Sequence, residues 1–347
     1  MRSETTRPDP AAPRRGVTFL ESLVAAAVAV VFVAVALPAI DLAREGSRRN
    51  GCAANQAAVA GAMLARHDSH GRFPDGIGFS DAGCLPYTGR TLWTFTLLPL
   101  LGHDDVAALI VPRTWGAGPV NGDSMRGFRA TIPHYRCPSD THALVTDPLH
   151  GTVDHTRANV VACFSPHGFA VEPEADPECL VHQHMHGGER TLDNPTVLSV
   201  EPLATRPGRA LFNVRGVPRS LESVTDGASV SLMLSETVSG ESPEDFRGMW
   251  WADQGVQFSC YRTPNHPGED FHGGNGAVPV RSAKEGLPGI AVRPGGWPAL
   301  LEAARSRHGG IVNAAFVDGS VRPVRDDVAA RVWTSLGSID GADDDAP

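Results

Sequence analysis

The chain has 347 residues, 41% of them hydrophobic and 20% charged, with 37 Gly, 28 Pro and a formal net charge of −9. That apolar share supports a packed core and excludes wholesale disorder, and the frequency of Gly and Pro excludes a coiled-coil rod. The acidic balance argues against nucleic acid as a partner, because phosphate binding needs a basic surface.

Residues 1–16 are polar, carry four Arg against two acids and end in Arg14-Arg15-Gly16. They read as a cytoplasmic leader peptide. From Val17 to Ile40 the chain is apolar, interrupted only by Thr18, Glu21, Ser22 and Pro38. A helix over these residues would run roughly 36 Å, enough to cross a hydrocarbon core of about 30 Å. The positive-inside rule keeps 1–16 in the cytoplasm and places everything after about residue 41 outside. A secretory signal has a shorter apolar region, although Ala34-Val35-Ala36 has the small-x-small form of its cleavage site. A twin-arginine signal wants apolar residues soon after the pair, whereas Gly16-Val17-Thr18 follows here. A plain anchor explains the length but not Glu21. A carboxylate inside a span costs about 2.5–3.5 kcal/mol and is functional by default; the bland alternative is a Glu close enough to the boundary to reach water.

Beyond Pro38 small and apolar residues (Leu42, Ala43, Ala53, Ala54, Ala57, Ala58, Ala62, Leu64) recur at steps of three and four, with Arg44, Glu45, Arg48, Arg49 and Gln56 between them. This is an amphipathic helical pattern, which Pro38 kinks rather than ends. The sequence therefore predicts a spine helix over 17–68, membrane-spanning at 17–40, closed by Gly71-Arg72-Phe73-Pro74.

Short apolar runs then alternate with Gly/Pro turns, the pattern of a loop-rich antiparallel α+β domain over 69–338. Predicted strands are Ala210–Val214, Ser229–Leu234, Gly248–Ala252 and Ile311–Val317. Asp318-Gly319 reads as a tight turn into Ser320–Val324. Asp326-Asp327 open a predicted C-terminal helix through Val328, Val332, Trp333 and Leu336, with Gly337 past its end. The tail 339–347, containing Asp343-Asp344-Asp345, reads as acidic and disordered.

The sharpest metal candidate is His182, His184 and His186 after Cys179. On a strand their imidazoles would share one face and suit zinc or copper. The bland alternative is a His-rich loop beside Gly187-Gly188. Asp140, Asp226, Glu236 and Asp318 offer oxygen donors for calcium, without a D-x-D-x-D-G loop. G-x-S-x-G, H-E-x-x-H and Walker patterns do not occur. The expectation is no enzyme, with no catalytic residue, cofactor or metal. Six cysteines (Cys52, Cys84, Cys137, Cys163, Cys179, Cys260) form no C-x-x-C pair. In an oxidising compartment they suit two or three disulfides, with about fifteen connectivities open for three.

Arg15-Gly16-Val17-Thr18-Phe19-Leu20-Glu21 resembles the prepilin processing site of type IV pilins and type II secretion pseudopilins. The resemblance implies cleavage between Gly16 and Val17 by a prepilin peptidase and N-methylation of Val17, which stands where the family usually has Phe. Glu21 becomes the fifth mature residue. In a filament its carboxylate would meet the α-amino group of a neighbouring subunit, offsetting the cost of burying both charges.

His308-Gly309-Gly310-Ile311-Val312-Asn313-Ala314-Ala315-Phe316-Val317-Asp318-Gly319 resembles the H-x9-DG motif that accompanies prepilin-type leaders in a bacterial family of unknown function, domain of unknown function 1559. Fragments similar to that family are Cys52 with Asn55-Gln56, Phe73-Pro74, Trp93 with Leu97-Leu98-Pro99, Cys137-Pro138-Ser139-Asp140, and Thr225-Asp226-Gly227-Ala228-Ser229 with Glu236. They are scattered from residue 15 to about 338, and 141–210 matches least. The implied fold is pilin-like: a long N-terminal helix packed on a loop-rich antiparallel sheet. Within the motif, seven strand residues separate His308 from Asp318 by roughly 23 Å, too far to share a proton or a metal. Asp318-Gly319 then sets the turn, and His308 bonds a neighbouring loop.

These readings lead to a prepilin-like membrane-anchored structural protein, a minor pilin or pseudopilin subunit of a secretion or surface filament. It would sit single-pass in the cytoplasmic (inner) membrane with its C-terminal domain outside. Its partners would be prepilin peptidase, other pilin-like subunits and membrane lipid. The alternative is a monomeric anchored module that binds an extracytoplasmic ligand, and a third class is a metal-dependent enzyme using His182, His184 and His186.

Overall fold

A computed structural model describes residues 18–79, 90–110, 126–141, 144–147, 153–166, 209–213, 218–252, 255–273, 287–293 and 302–341. The chain divides into two compact units, 1–47 and 48–347.

Helix α1 runs from Phe19 to His70 and contains Pro38 without ending there. Its start is a capping box. The Glu21 backbone N–H donates to Thr18 Oγ1 at 3.3 Å, and Glu21 Oε2 accepts from Thr18 N at 2.8 Å and Thr18 Oγ1 at 2.9 Å. These bonds satisfy donors that a helix N-terminus otherwise leaves unpaired. Gly71 ends the helix with φ 73°, its N–H donating to His67 O at 2.7 Å. Such a left-handed residue costs glycine nothing. The first unit's part of α1 is exposed at every residue but the half-buried Glu45, including Leu20, Val24, Phe32 and Leu37. α1 is long and apolar enough to cross a membrane, consistent with a single-pass anchor.

In the second unit α1 buries one stripe, Cys52, Gln56, Val59, Ala60 and Met63, at the steps of three and four that one helical face requires. The remaining elements in chain order are β1 (Ile77–Phe79), β2 (Arg90–Leu92), α2 (Trp93–Thr96), α3 (Asp104–Leu109), β3 (Val145–Asp147), β4 (Val153–His155), β5 (Val160–Ser165), β6 (Leu232–Glu236), β7 (Gln257–Ser259), β8 (Asp270–Gly273), β9 (Ile290–Arg293), β10 (Ile311–Phe316), β11 (Val321–Arg325) and α4 (Ala330–Leu336). The principal sheet has the order β11-β10-β6-β5-β7. Its pairs are antiparallel except β5–β7, which is parallel. The pairs β1–β2 and β3–β4 are antiparallel, and β8–β9 is parallel. The architecture is α+β, a long helix packed on a mixed, mostly antiparallel sheet.

Alternation along β10 explains why that sheet is covered on both faces. Ala315 packs into the cluster with Val59, Ala60 and Met63 of α1, while Val312, Ala314 and Phe316 pack into a second cluster with Trp333 of α4. β5 is buried at every position. Its Val160-Val161-Ala162-Cys163-Phe164 run lacks polar alternation because both faces are covered, so it was not among the predicted strands.

Three predicted strands need correction. In 210–214 the described residues are buried, but their carbonyls take isolated bonds: Asn213 O accepts the N–H of Ile77 at the start of β1, and Ala210 O accepts the Arg219 side-chain Nε. The described residues 210–213 form no strand ladder. Gly248–Ala252 is a chain of turns, with Met249 N–H donating to Phe246 O and Ala252 N–H to Met249 O. Gly248 takes φ 77°, and a Cβ there would lie 2.3 Å from Ala158 O, so the backbones meet where no side chain fits. The apolar run supplies aromatic rings to the core instead: Trp250 and Trp251 both face Phe128. The strand predicted at Ser229–Leu234 starts at Leu232, because Val230 and Ser231 still donate to Gly227 O in a turn.

The C-terminal helix also begins later than predicted. Asp327 pairs with Arg325 at 2.7 Å and Asp326 Oδ1 accepts Asn265 Nδ2 at 2.7 Å, so neither carboxylate caps a helix. Ile339 is fully buried, and its N–H donates to Arg209 O. Residues 342–347 of the predicted tail lie outside the described residues.

Candidate functional site

Fragments dispersed along the sequence converge at one buried place. α1 presents Cys52, Asn55 and Gln56 there. Cys52 is joined by a disulfide to Cys137, which follows the short turn at Pro133–Tyr135. Asn55 Nδ2 donates to the carbonyls of Pro133 (3.0 Å) and Arg136 (2.8 Å), and Gln56 Nε2 donates to Asn313 O of β10 at 3.1 Å. The helix is thus tied covalently and by amide bonds both to the Cys137 turn and to the sheet.

Glu236, at the end of β6, receives Asn313 N–H at 2.7 Å on one carboxylate oxygen and Asn313 Nδ2 at 3.1 Å on the other. His308 Nε2 lies 3.5 Å from Glu236 Oε1 and 3.5 Å from Cys137 Sγ. The two sulfurs, a Glu236 oxygen and a His308 ring nitrogen all fall within 4.8 Å of one another, and all four residues are buried. Asp140 and Asn159 complete the surroundings. Asn159 Oδ1 accepts Cys137 N–H at 2.8 Å, and Asn159 Nδ2 donates to Asp140 Oδ2 and Thr237 O, each at 2.8 Å. Asp140 Oδ2 also accepts the Ser239 N–H and hydroxyl. Polar groups removed from water need such partners.

A buried charge network adjoins this cluster through β6, where Arg305 N–H donates to Glu236 O at 2.7 Å. Arg247 grips Asp245 through Nε (2.9 Å) and a terminal nitrogen (2.7 Å) and reaches Asp270 at 2.8 Å. Arg305 forms a forked pair with Asp270 at 2.8 and 2.7 Å. Burial works to raise the Asp270 carboxyl, but the flanking charges and hydrogen bonds of Arg305 and Arg247 outweigh it and hold the group below the usual range.

The sequence-predicted residues are distributed as follows. Gly16 and Val17 lie outside the described residues, as do His182, His184, His186, Cys84 and Cys179. Glu21 sits in the capping box. His308 is at the buried cluster. Asp318 and Gly319 are at the opposite end of β10, where Gly319 (φ 85°) donates to Phe316 O and Asp318 Oδ1 accepts the Ser320 N–H and hydroxyl. Motif residues ten positions apart therefore serve two places. The four calcium candidates do not meet: Glu236 belongs to the His308 cluster, Asp140 to the Asn159–Ser239 bonds, Asp318 to the hairpin turn, and Asp226 accepts Gly341 N–H. Sequence reading missed Asn159, Asn313, Arg247, Asp270 and Arg305. No local pattern marks them: apart from the Arg247–Asp245 pair two residues apart, they act on partners distant in the chain. Cys163 and Cys260 are buried thiols with Sγ atoms 3.8 Å apart.

A family model described as "Protein of unknown function (DUF1559)" matches residues 42–331. No curated protein and no solved structure matches.

Proposed function

The chain belongs to the DUF1559 family, and from that membership we propose that it is a prepilin-like, membrane-anchored structural protein, a minor pilin or pseudopilin-type subunit. The supporting observation is α1. One continuous helix carries an exposed apolar part in the first unit and, in the second, a stripe locked into an α+β body by a disulfide and side-chain hydrogen bonds.

In this reading prepilin peptidase cuts between Gly16 and Val17 and the new terminus is methylated. The apolar half of α1 holds the protein single-pass in the cytoplasmic membrane, with the body outside. Glu21 has two successive roles. In the precursor it caps its own helix through Thr18, and after cleavage its carboxylate is available to the α-amino group of an adjacent subunit. Thr18 donates to Oε2, and the carboxylate has further acceptor sites for that group. No residue is assigned a catalytic step, and the partners are the peptidase, other pilin-like subunits and lipid.

The test is mass spectrometry of the N-terminus of protein taken from native membranes. The expected result is N-methylated Val17. An intact Met1 would instead leave a membrane-anchored monomeric module, and a start near Leu37 would indicate an ordinary signal peptide; either result removes the pilin reading.

A further inference from the structure

The buried meeting of Cys52, Cys137, Glu236 and His308 has the composition and size of a metal site. We propose that, once the Cys52–Cys137 disulfide is reduced, these four side chains hold one zinc-class divalent ion, so that the disulfide and the metal are alternative occupants of one position.

The donor set is two thiolates, one imidazole and one carboxylate, the mixture that suits a tetrahedral borderline-soft ion. Bonds of about 2.0–2.3 Å to such an ion separate its ligand atoms by about 3.3–3.8 Å, the edge of the tetrahedron. His308 Nε2 already stands 3.5 Å from Cys137 Sγ and 3.5 Å from Glu236 Oε1. The donors come from separate supports: Cys52 from α1, Cys137 from the turn after Pro133–Tyr135, Glu236 from β6 and His308 from the segment before β10. Outer partners orient them as metal sites require. Asn313 N–H holds the Glu236 oxygen Oε2 at 2.7 Å, and Asn159 Oδ1 holds Cys137 N–H at 2.8 Å. All four ligands are buried, so water does not compete for the position.

The conversion balances. A dithiol reductant transfers two electrons and two protons to Cys52–Cys137 and is itself oxidised to a disulfide. The ion then displaces the two thiol protons to solvent and binds the thiolates with neutral His308 and ionised Glu236. Reoxidation by a disulfide donor reverses both steps and expels the ion.

Full-length protein in detergent, reduced with dithiothreitol and desalted anaerobically, would be titrated with Co²⁺ and then with Zn²⁺. The expected outcome is one Co²⁺ per chain with the visible bands of tetrahedral cobalt and a thiolate charge-transfer band, displaced by one Zn²⁺. His308→Ala and Glu236→Gln should each weaken binding at least tenfold, and the oxidised wild type should show no thiolate band. Absence of that band in the reduced wild type would overturn the proposal. So would binding unaffected by both substitutions, which would place the ion elsewhere, or loss of far-ultraviolet dichroism on reduction, which would show that the reduced fold cannot present the site. Because the wild type alone reports the thiolate band, a variant that fails to fold does not remove the test.

Discussion

Asp270 is fully buried between two guanidinium groups, and its energetics follow from that position. Removing one partner of a buried ion pair leaves the other charge uncompensated, which costs about 3–5 kcal/mol. Asp270→Asn should destabilise the protein by that amount, read from urea unfolding. The carboxyl is depressed in the folded state and ordinary, about 3.9, in the unfolded chain. Its contribution is therefore complete above about pH 4 and is lost as pH falls through the lower folded value. The urea midpoint of the wild type should drop below pH 4 more steeply than that of Asp270→Asn. Cys260 behaves oppositely: burial, then the neighbouring Cys163 thiol, pushes its thiol up. With little thiolate and no exposure, native Cys260 should react with iodoacetamide roughly a hundredfold or more slower than in denaturant. Comparable rates would contradict the buried thiol pair. None of these environments is legible locally, because Asp270 meets Arg247 and Arg305 across 23 and 35 residues of chain.

At the scale of elements, α1 and the β10–β11 hairpin carry the most. The disulfide from α1 to the Cys137 turn closes a segment of 85 residues. Cys52→Ser should cost about 2–5 kcal/mol, measured as a lowered unfolding midpoint without a change of fold. In the hairpin Gly319 takes φ 85°, where a side chain costs about 1–2 kcal/mol, and a Cβ there would approach Leu64 Cδ1 of α1 to 2.9 Å. Gly319→Ala should therefore destabilise by about 1–2 kcal/mol in the same assay. Both devices were partly visible beforehand. The turn chemistry of Asp318-Gly319 named the hairpin, and the three- and four-residue periodicity named α1. Two of the strand misreadings share one cause: at 210–213 and 248–252 an apolar run supplies buried side chains while its backbone makes isolated bonds or turns instead of a ladder, and composition reports only the side chains.

For the whole molecule, the apolar half of α1 and the buried body impose different environments on one chain. If the pilin reading holds, Glu21→Ala should leave cleavage after Gly16 largely intact and remove the protein from assemblies with other pilin-like subunits, read by co-sedimentation; unchanged incorporation would count against it. The class of fold, the spine helix with its closing Gly71, the terminal hairpin and the family were all accessible from the linear pattern. Helical and turn signals act over a few residues, and the family fragments are short. Which cysteines pair, and how Cys52, Cys137, Glu236 and His308 come to share one buried volume, were settled by packing. Those relations join residues as far as 257 positions apart, as Gln56 and Asn313 are, and at that separation only the closure of the sheet against α1 brings the partners within bonding distance.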